Sequence, residues 1–260
     1  MLQRILCIMR IMAIDNGFTK AAFEHPKIVE IYRRSVDGIG LWDSEKYFIN
    51  KYFKPYFRIV DIGCGCGRTS FGMYGIGFGN IVGVDISADM IAGACAIEAE
   101  KQCGIPFYEA DACSLPFDDC SFDGALFSYN GLMHIPARSR RIAAMREIRR
   151  VLRPEGIFIF ITQVREDPDF ELFWKDEKKI WNSSKQDQRL EEFGDVIFSK
   201  KKRDIFLHVP SKAEMLECIA EAGFILVESK SRHAVSLDKK MIGKTDSIFW
   251  IVRKSEAQEL

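Results

Sequence analysis

Ile59 to Gly67 reads IVDIGCGCG, an apolar run interrupted by Asp61 that breaks into three alternating glycines. Ile59, Val60 and Ile62 supply the β-branched content of a buried strand, and Gly63, Gly65 and Gly67 allow positive φ and a close backbone approach to a ligand. A helix starting after Gly67 would aim its free N-terminal amides at that ligand. Two glycine-loop relatives match the sequence weakly. A dinucleotide fingerprint begun at Gly63 needs glycine at 68, where the chain has Arg68, and a phosphate-binding P-loop needs a Gly-Lys-Ser/Thr ending that is absent. A plain strand-to-helix turn would use the same glycines, so the neighbouring segments decide between turn and site.

Those segments repeat one design. NIVGVDI, Asn80 to Ile86, is a second apolar strand ending in Asp85, about twenty residues past the first loop, where a carboxylate can accept both hydroxyls of a ribose. Ser87 follows as an N-cap, and Met90, Ile91, Ala94, Cys95 and Ile97 give a helix its apolar face. A third strand, Ile105 to Ala110, ends at Asp111. A fourth, Phe122 to Ser128, leads into YNGLMHIP, and a helix with Ile142, Met145, Ile148 and Val151 on one face runs into VLRPEGIFIFIT. One such aspartate is explained by helix capping; three in order at strand ends point to a cofactor cleft.

The pattern D-x-G-x-G-x-G after a strand resembles motif I of the class I S-adenosylmethionine (SAM) dependent methyltransferases, whose loop wraps the methionine part of the cofactor. The resemblance covers residues 56 to 164. It implies an α/β, Rossmann-like, seven-stranded and mostly parallel sheet with helices on both faces and a final reversed strand. It also implies SAM contacts from Asp61, Gly63, Gly65, Gly67, Asp85, Ile86, Asp111, Ala112 and Ser128, with the Asp111 side chain at the adenine amino group and the Ala112 amide at a ring nitrogen. The family's Pro-Gly-Gly turn before the fifth strand carries Glu155 in place of its first glycine.

The 260 residues, 47% hydrophobic, suffice for one sizeable α/β core and peripheral additions. Lys+Arg and Asp+Glu both number 37, so no global basic field steers the chain onto nucleic acid or an anionic membrane. Eight scattered cysteines without a C-x-x-C pair indicate free thiols in a reducing, cytoplasmic setting and neither a zinc framework nor a disulfide scaffold; no metal is expected. The leader MLQRILCIMRIMAI is interrupted by Arg10, lacks a small-residue cleavage site and falls short of a membrane span, so residues 1 to 11 are expected to be dispensable.

Four segments follow: a leader and helical cap over 1–55, the SAM-binding core over 56–164, an inserted lid over 165–209, and completion of the core over 210–260. The cap holds two amphipathic helices, Pro26 to Val36 and Asp43 to Phe53. The lid carries Phe170, Phe173, Trp174, Trp181, Phe193, Phe198 and Phe206, a density expected of an ordered cover over the acceptor, and includes the basic run Lys200 to Arg203. Ser211 with Glu214 forms a capping box for a helix that Gly223 stops, and Phe224 to Glu228 and Ile248 to Arg253 supply the last strands. Tyr129, Asn130 and His134, after the fourth strand, are the candidate catalytic residues, His134 as proton acceptor. The expected activity is methyl transfer from SAM to an O, N or C nucleophile of a small molecule. A wobble-uridine type tRNA methyltransferase and a non-catalytic SAM-binding partner subunit stay open as alternatives.

Overall fold

The computed structural model describes residues 14–200, 203–235 and 246–255. Seven strands form the main sheet in the spatial order β3 (Phe107–Glu109), β2 (Ile81–Asp85), β1 (Ile59–Ile62), β4 (Phe122–Phe127), β5 (Leu152–Thr162), β9 (Ile248–Lys254), β8 (Phe224–Ser231). The first five are parallel, with Ile59 opposite both Ile81 and Gly124, and β9 runs antiparallel to β5 and β8, as expected of a reversed strand. All four residues of β1 are buried, because helices cover both faces of a parallel sheet and leave no solvent side to alternate towards. From β1 the chain winds outward to β3, then restarts at β4 on the other side. The reversal opens a crevice beyond the carboxyl ends of β1 and β4, directly over the glycine loop.

Strand pleating sorts the core into two. Val60 and Ile62 join a cluster with Phe122, Met145, Phe158 and Trp250, which α6 (Arg138–Val151) and α8 (Lys212–Glu221) cover. Ile59 faces the opposite cluster, with Phe48, Phe71, Leu126 and Phe249, beneath α4 (Arg68–Gly75) and α5 (Ala88–Lys101). Ser87 caps α5 by accepting from the Met90 amide at 3.2 Å. On its face Met90, Ala94 and Ile97 are buried, whereas Cys95 is exposed, so the apolar stripe is narrower than the sequence suggests. Glu155 adopts φ 64°, the left-handed conformation a glycine would take, and its carboxylate pairs with Arg253 across the turn.

Three helices form the cap: α1 (Asn16–Phe23), α2 (Pro26–Gly38) and α3 (Asp43–Tyr52). The sequence reading anticipates α2 and α3 and misses α1, which Asp15 caps by accepting from the Phe18 amide at 2.9 Å. α3 is fastened to the sheet by Phe48, fully buried and stacked on Phe249 at 4.4 Å between centroids, a burial that contributes roughly 2 kcal/mol.

The insertion is ordered as expected, in two parts: α7 (Glu171–Asn182), with no buried residue, and an antiparallel hairpin of β6 (Asp195–Lys200) and β7 (Arg203–His208). Phe206 is a core residue and Phe170, Phe173 and Phe198 are exposed, so the aromatics do not form one continuous cover. The capping box of α8 is present, with Ser211 and Glu214 as its members, and Gly223 at φ 79° ends it. Residues 1–13 of the leader, and with them the expectation for residues 1 to 11, lie outside the described residues, as do the side chains of Lys200 to Arg203; Ile14 is described and buried. Among those described, no helix is long and apolar enough to cross a membrane.

Candidate functional site

Gly63, Gly65 and Gly67 all have positive φ, at 60°, 56° and 90°. At all three a side chain is also excluded by space, at Gly67 by the Phe71 ring 2.7 Å from where a Cβ would sit. A Cβ on Gly63 would sit 2.5 Å from the Phe127 ring, and one on Gly65 2.9 Å from the Tyr32 ring. At its glycines the loop therefore presents bare backbone, pressed between a strand residue below and a cap residue above, while the Cys64 and Cys66 side chains are buried. Asp61 lies beneath it, fully buried, its Oδ2 accepting from the Thr69 and Ser70 hydroxyls at 2.6 Å each. Burial pushes its carboxyl up to about 6, against the lowering effect of those hydroxyls and of Arg68. Asp61 and Gly67 line neither cavity described below. They shape the loop and hold the first turn of α4, because the pleat that turns Val60 and Ile62 to one face turns Asp61 to the other.

Asp85 ends β2 inside the crevice. Its Oδ2 accepts from the Gly65 amide and its Oδ1 from the Ser87 amide, both at 2.9 Å, which locks the carboxylate to the loop. Burial raises its pKa and these amides oppose the rise. Two acceptor oxygens with further lone pairs stay directed into a cleft that also contains Gly63, Gly65, Ile86, Asp111, Ala112 and Ser128. Counting its open mouth, the cleft encloses about 730 Å³. Asp111 accepts from the Cys113 amide at 2.9 Å, from Arg140 at 3.2 Å and from Asn16 of the cap at 2.7 Å.

The cap closes this cleft with Asn16, Thr19, Phe23 and Tyr32, and on its other side bounds a second cavity of about 1090 Å³ by the same measure. Ile31, Ile39, Trp42 and Arg68 line the second cavity, and Tyr32, Gly63, Ser128 and Tyr129 line both. Its floor is a buried ion pair. Glu45, with no exposed surface, accepts from Arg68 Nη1 and Nη2 at 2.7 Å, from the Trp42 amide at 2.9 Å and from the Ser128 hydroxyl at 2.5 Å. Burial alone would raise the Glu45 pKa, but Arg68 and these donors hold it below the ordinary range. The Arg68 guanidinium also lies 4.8 Å from the Trp42 ring centroid. Sequence reading missed Tyr32, Trp42, Glu45 and Arg68. Glu45 at the third position of α3 accepts from the Trp42 amide, a local role that hides its pairing with Arg68, and Arg68 registers in the sequence only as the absence of a glycine.

Of the three candidate catalytic residues, two face a cavity. Tyr129 lines both and packs edge-on to Trp42 at 5.3 Å, while His134 lines the cofactor-side cleft. Asn130 lines neither; its Oδ1 accepts from the Gln163 amide at 3.0 Å and ties the end of β4 to the end of β5. Tyr129 and Asn130 both have positive φ, 52° and 61°, a paired left-handed turn that non-glycine residues rarely adopt and that marks strain at a functional edge. His134 Nδ1 lies 2.7 Å from the Phe206 carbonyl of β7, which can only accept, so Nδ1 carries a proton.

Among the described residues, none that lines either cavity comes from 165–209. The insertion reaches the site through the Phe206 carbonyl alone among these contacts. Its Trp174 and Trp181 pack edge-on to Phe193, at 5.9 and 6.1 Å. Behind the hairpin, His208 is buried between Asp195 at 2.8 Å and Glu214 at 2.6 Å. Glu192, His208 and Glu214 are close enough to share a metal ion. Arg141 pairs with Glu192 and Arg165 with Glu214, however, so both carboxylates of that group already meet a guanidinium.

The donor set fits SAM: a carboxylate at the end of β2 for a vicinal diol, Ile86 and Ala112 as apolar walls for a flat base, and the bare backbone of Gly63 and Gly65 for the amino-acid portion. Comparison with known proteins gives the same direction. A profile described as a methyltransferase domain matches residues 59–156. The uncharacterized protein MJ1252 of Methanocaldococcus jannaschii is 36% identical over 150 residues, 57% of this chain and 51% of its own length. The O-methyltransferase cnsE of Penicillium expansum is 32% identical over 113 residues, 43% of this chain and 40% of its own. The chain thus spans about half the length of these relatives or less. The crystal structure of a SAM-dependent methyltransferase from Methanosarcina mazei shares the fold at a TM-score of 0.69, with 20% identity, over 84% of this chain and 100% of that one.

Proposed function

We propose that the chain is a class I SAM-dependent methyltransferase, a reading supported by the methyltransferase-domain match over residues 59–156 and by the shared fold, and that it transfers a methyl group to a small-molecule acceptor held in the second cavity. The observation that carries this reading is the shared wall, since Tyr32, Gly63, Ser128 and Tyr129 border both cavities. A donor on one side and a nucleophile on the other meet at that wall. When bound, the cofactor supplies an electrophilic methyl on a sulfonium, and the protein's work is alignment and exclusion of water. Asp85 holds the ribose hydroxyls, Ile86 and Ala112 flank the base, and Asp111 with the Ala112 amide meets its edge. Ile31, Ile39 and Trp42 select an acceptor with an apolar or aromatic body.

His134 is the candidate general base. With Nδ1 committed to the Phe206 carbonyl, Nε2 of the neutral ring is the nitrogen that can take a proton from a hydroxyl or amine. Asn130 acts as a positioning residue through Gln163. Balanced charge and a largely apolar second cavity favour a metabolite over tRNA. The test is incubation with methyl-labelled SAM and separate metabolite and tRNA pools. Label in a small molecule supports the reading; label in tRNA, or no transfer by a protein that binds the cofactor, overturns it.

A further inference from the structure

The adenine end of the cleft is roofed by the first turn of α1. Asn16 donates from Nδ2 to Asp111 Oδ2 at 2.7 Å, Thr19 donates to the His134 carbonyl at 3.0 Å, and Lys20 pairs with Glu109 at 2.5 Å. Because a carboxylate only accepts, the contact with Asp111 fixes the amide orientation. Nδ2 faces Asp111, and Oδ1 is left as a buried acceptor without a hydrogen-bond partner in a residue that lines the cleft. A buried acceptor without a donor is costly, so this atom calls for a ligand N–H. Asp111 beside it is also acceptor only.

We propose that Asn16 reads the exocyclic amino group of the cofactor's adenine together with Asp111, which makes α1 a cover that closes on adenine in particular. An amino group carries two hydrogens and can serve both acceptors. A 6-oxo purine offers an acceptor there, opposes both oxygens and is rejected. The inference rests on the SAM reading of the cleft and extends it to a residue outside the glycine-loop core. It does not depend on which acceptor is methylated.

The test is calorimetric binding of S-adenosylhomocysteine and its 6-oxo analogue S-inosylhomocysteine to the full chain and to Asn16→Ala and Lys20→Ala. Losing one neutral hydrogen bond should weaken S-adenosylhomocysteine about five- to tenfold in Asn16→Ala. S-inosylhomocysteine should bind the variant as well as or better than the parent, so the preference between the two ligands shrinks by at least that factor. Lys20→Ala, which loosens α1 away from the base, should weaken both ligands alike and leave the preference intact. Equal losses for both ligands in Asn16→Ala, or no loss for either, would overturn the assignment to the amino group. Failure of the parent chain to bind S-adenosylhomocysteine at all would remove the cofactor reading and this inference with it.

Discussion

Removing Glu45 should destabilise the protein by about 3 to 5 kcal/mol, the usual cost of breaking a buried ion pair from one side. The geometry explains why the value belongs at that level. Glu45 is wholly buried and Arg68 only 12% exposed at its side chain, so neither charge regains water when the other is lost. Glu45→Ala also strands the Ser128 hydroxyl and the Trp42 amide, both donors to the same carboxylate. Urea unfolding monitored by far-ultraviolet circular dichroism measures the effect, with the m-value required to stay constant. The double variant Glu45→Leu/Arg68→Met should recover most of the loss, because apolar groups of similar size need no partner. A loss below about 1 kcal/mol for Glu45→Ala, or a double variant as unstable as the single one, would refute the claim that a paired charge holds the cap to the loop.

Asp85→Ala should weaken SAM and S-adenosylhomocysteine by about 2 to 4 kcal/mol, read by calorimetry; unchanged affinity would sink the ribose assignment. Trp42→Ala should cut methyl transfer at least tenfold while changing S-adenosylhomocysteine affinity by less than about 1 kcal/mol, and parallel losses would argue that the second cavity is no acceptor pocket. Glu214 is held at about 2, where burial alone would raise it, by the hydrogen bond and charge of His208, by Arg165 and by the Ser211 amide. Its folded pKa is depressed, so its contribution, on the order of 2 to 4 kcal/mol, is present above its ordinary value and disappears as pH falls from about 4.5 towards 2. Glu214→Gln should flatten the acid limb of a stability profile over that window, and an unaltered limb would count against the His208 clamp.

The core was legible because its signals are local. A strand that is buried on both faces reads as an apolar run, and a carboxylate at its carboxyl end reads as a ligand contact whatever lies elsewhere in the chain. Asp85, Asp111 and the glycine loop needed no long-range information. Asp61 is the instructive exception: in the motif it looks like the other aspartates, but a strand's two-residue period turns it under the loop onto Thr69 and Ser70. Position within the pleat, which the motif does not encode, separates a residue that lines the cleft from one that shapes the loop. Asn130 fails for the same kind of reason, since a left-handed turn swings its amide to Gln163 while its neighbour Tyr129 faces both cavities.

The cap and the insertion were misjudged in opposite directions. Aromatic density over 165–209 suggested a cover for the acceptor, yet Trp174, Trp181 and Arg165 all converge on Phe193, and Phe206 completes the core. Those side chains hold the insertion together and leave none for the cavities. In the cap, Tyr32 sits four residues from both Ile28 and Val36, which are buried in α2, so its spacing reads as ordinary core packing. Only the fold, by pressing its ring against Gly65, makes it part of the wall between the cavities. α1 is too short for a periodic signal, and its value lies in single contacts to Asp111, Glu109 and the His134 carbonyl. Composition therefore measured how much apolar surface each segment must bury, while the direction of burial was set by partners roughly 90 to 115 residues away. Of the residues that border both cavities, Tyr32 comes from the cap and Gly63, Ser128 and Tyr129 from the core, so the proposed acceptor pocket is built by the two together.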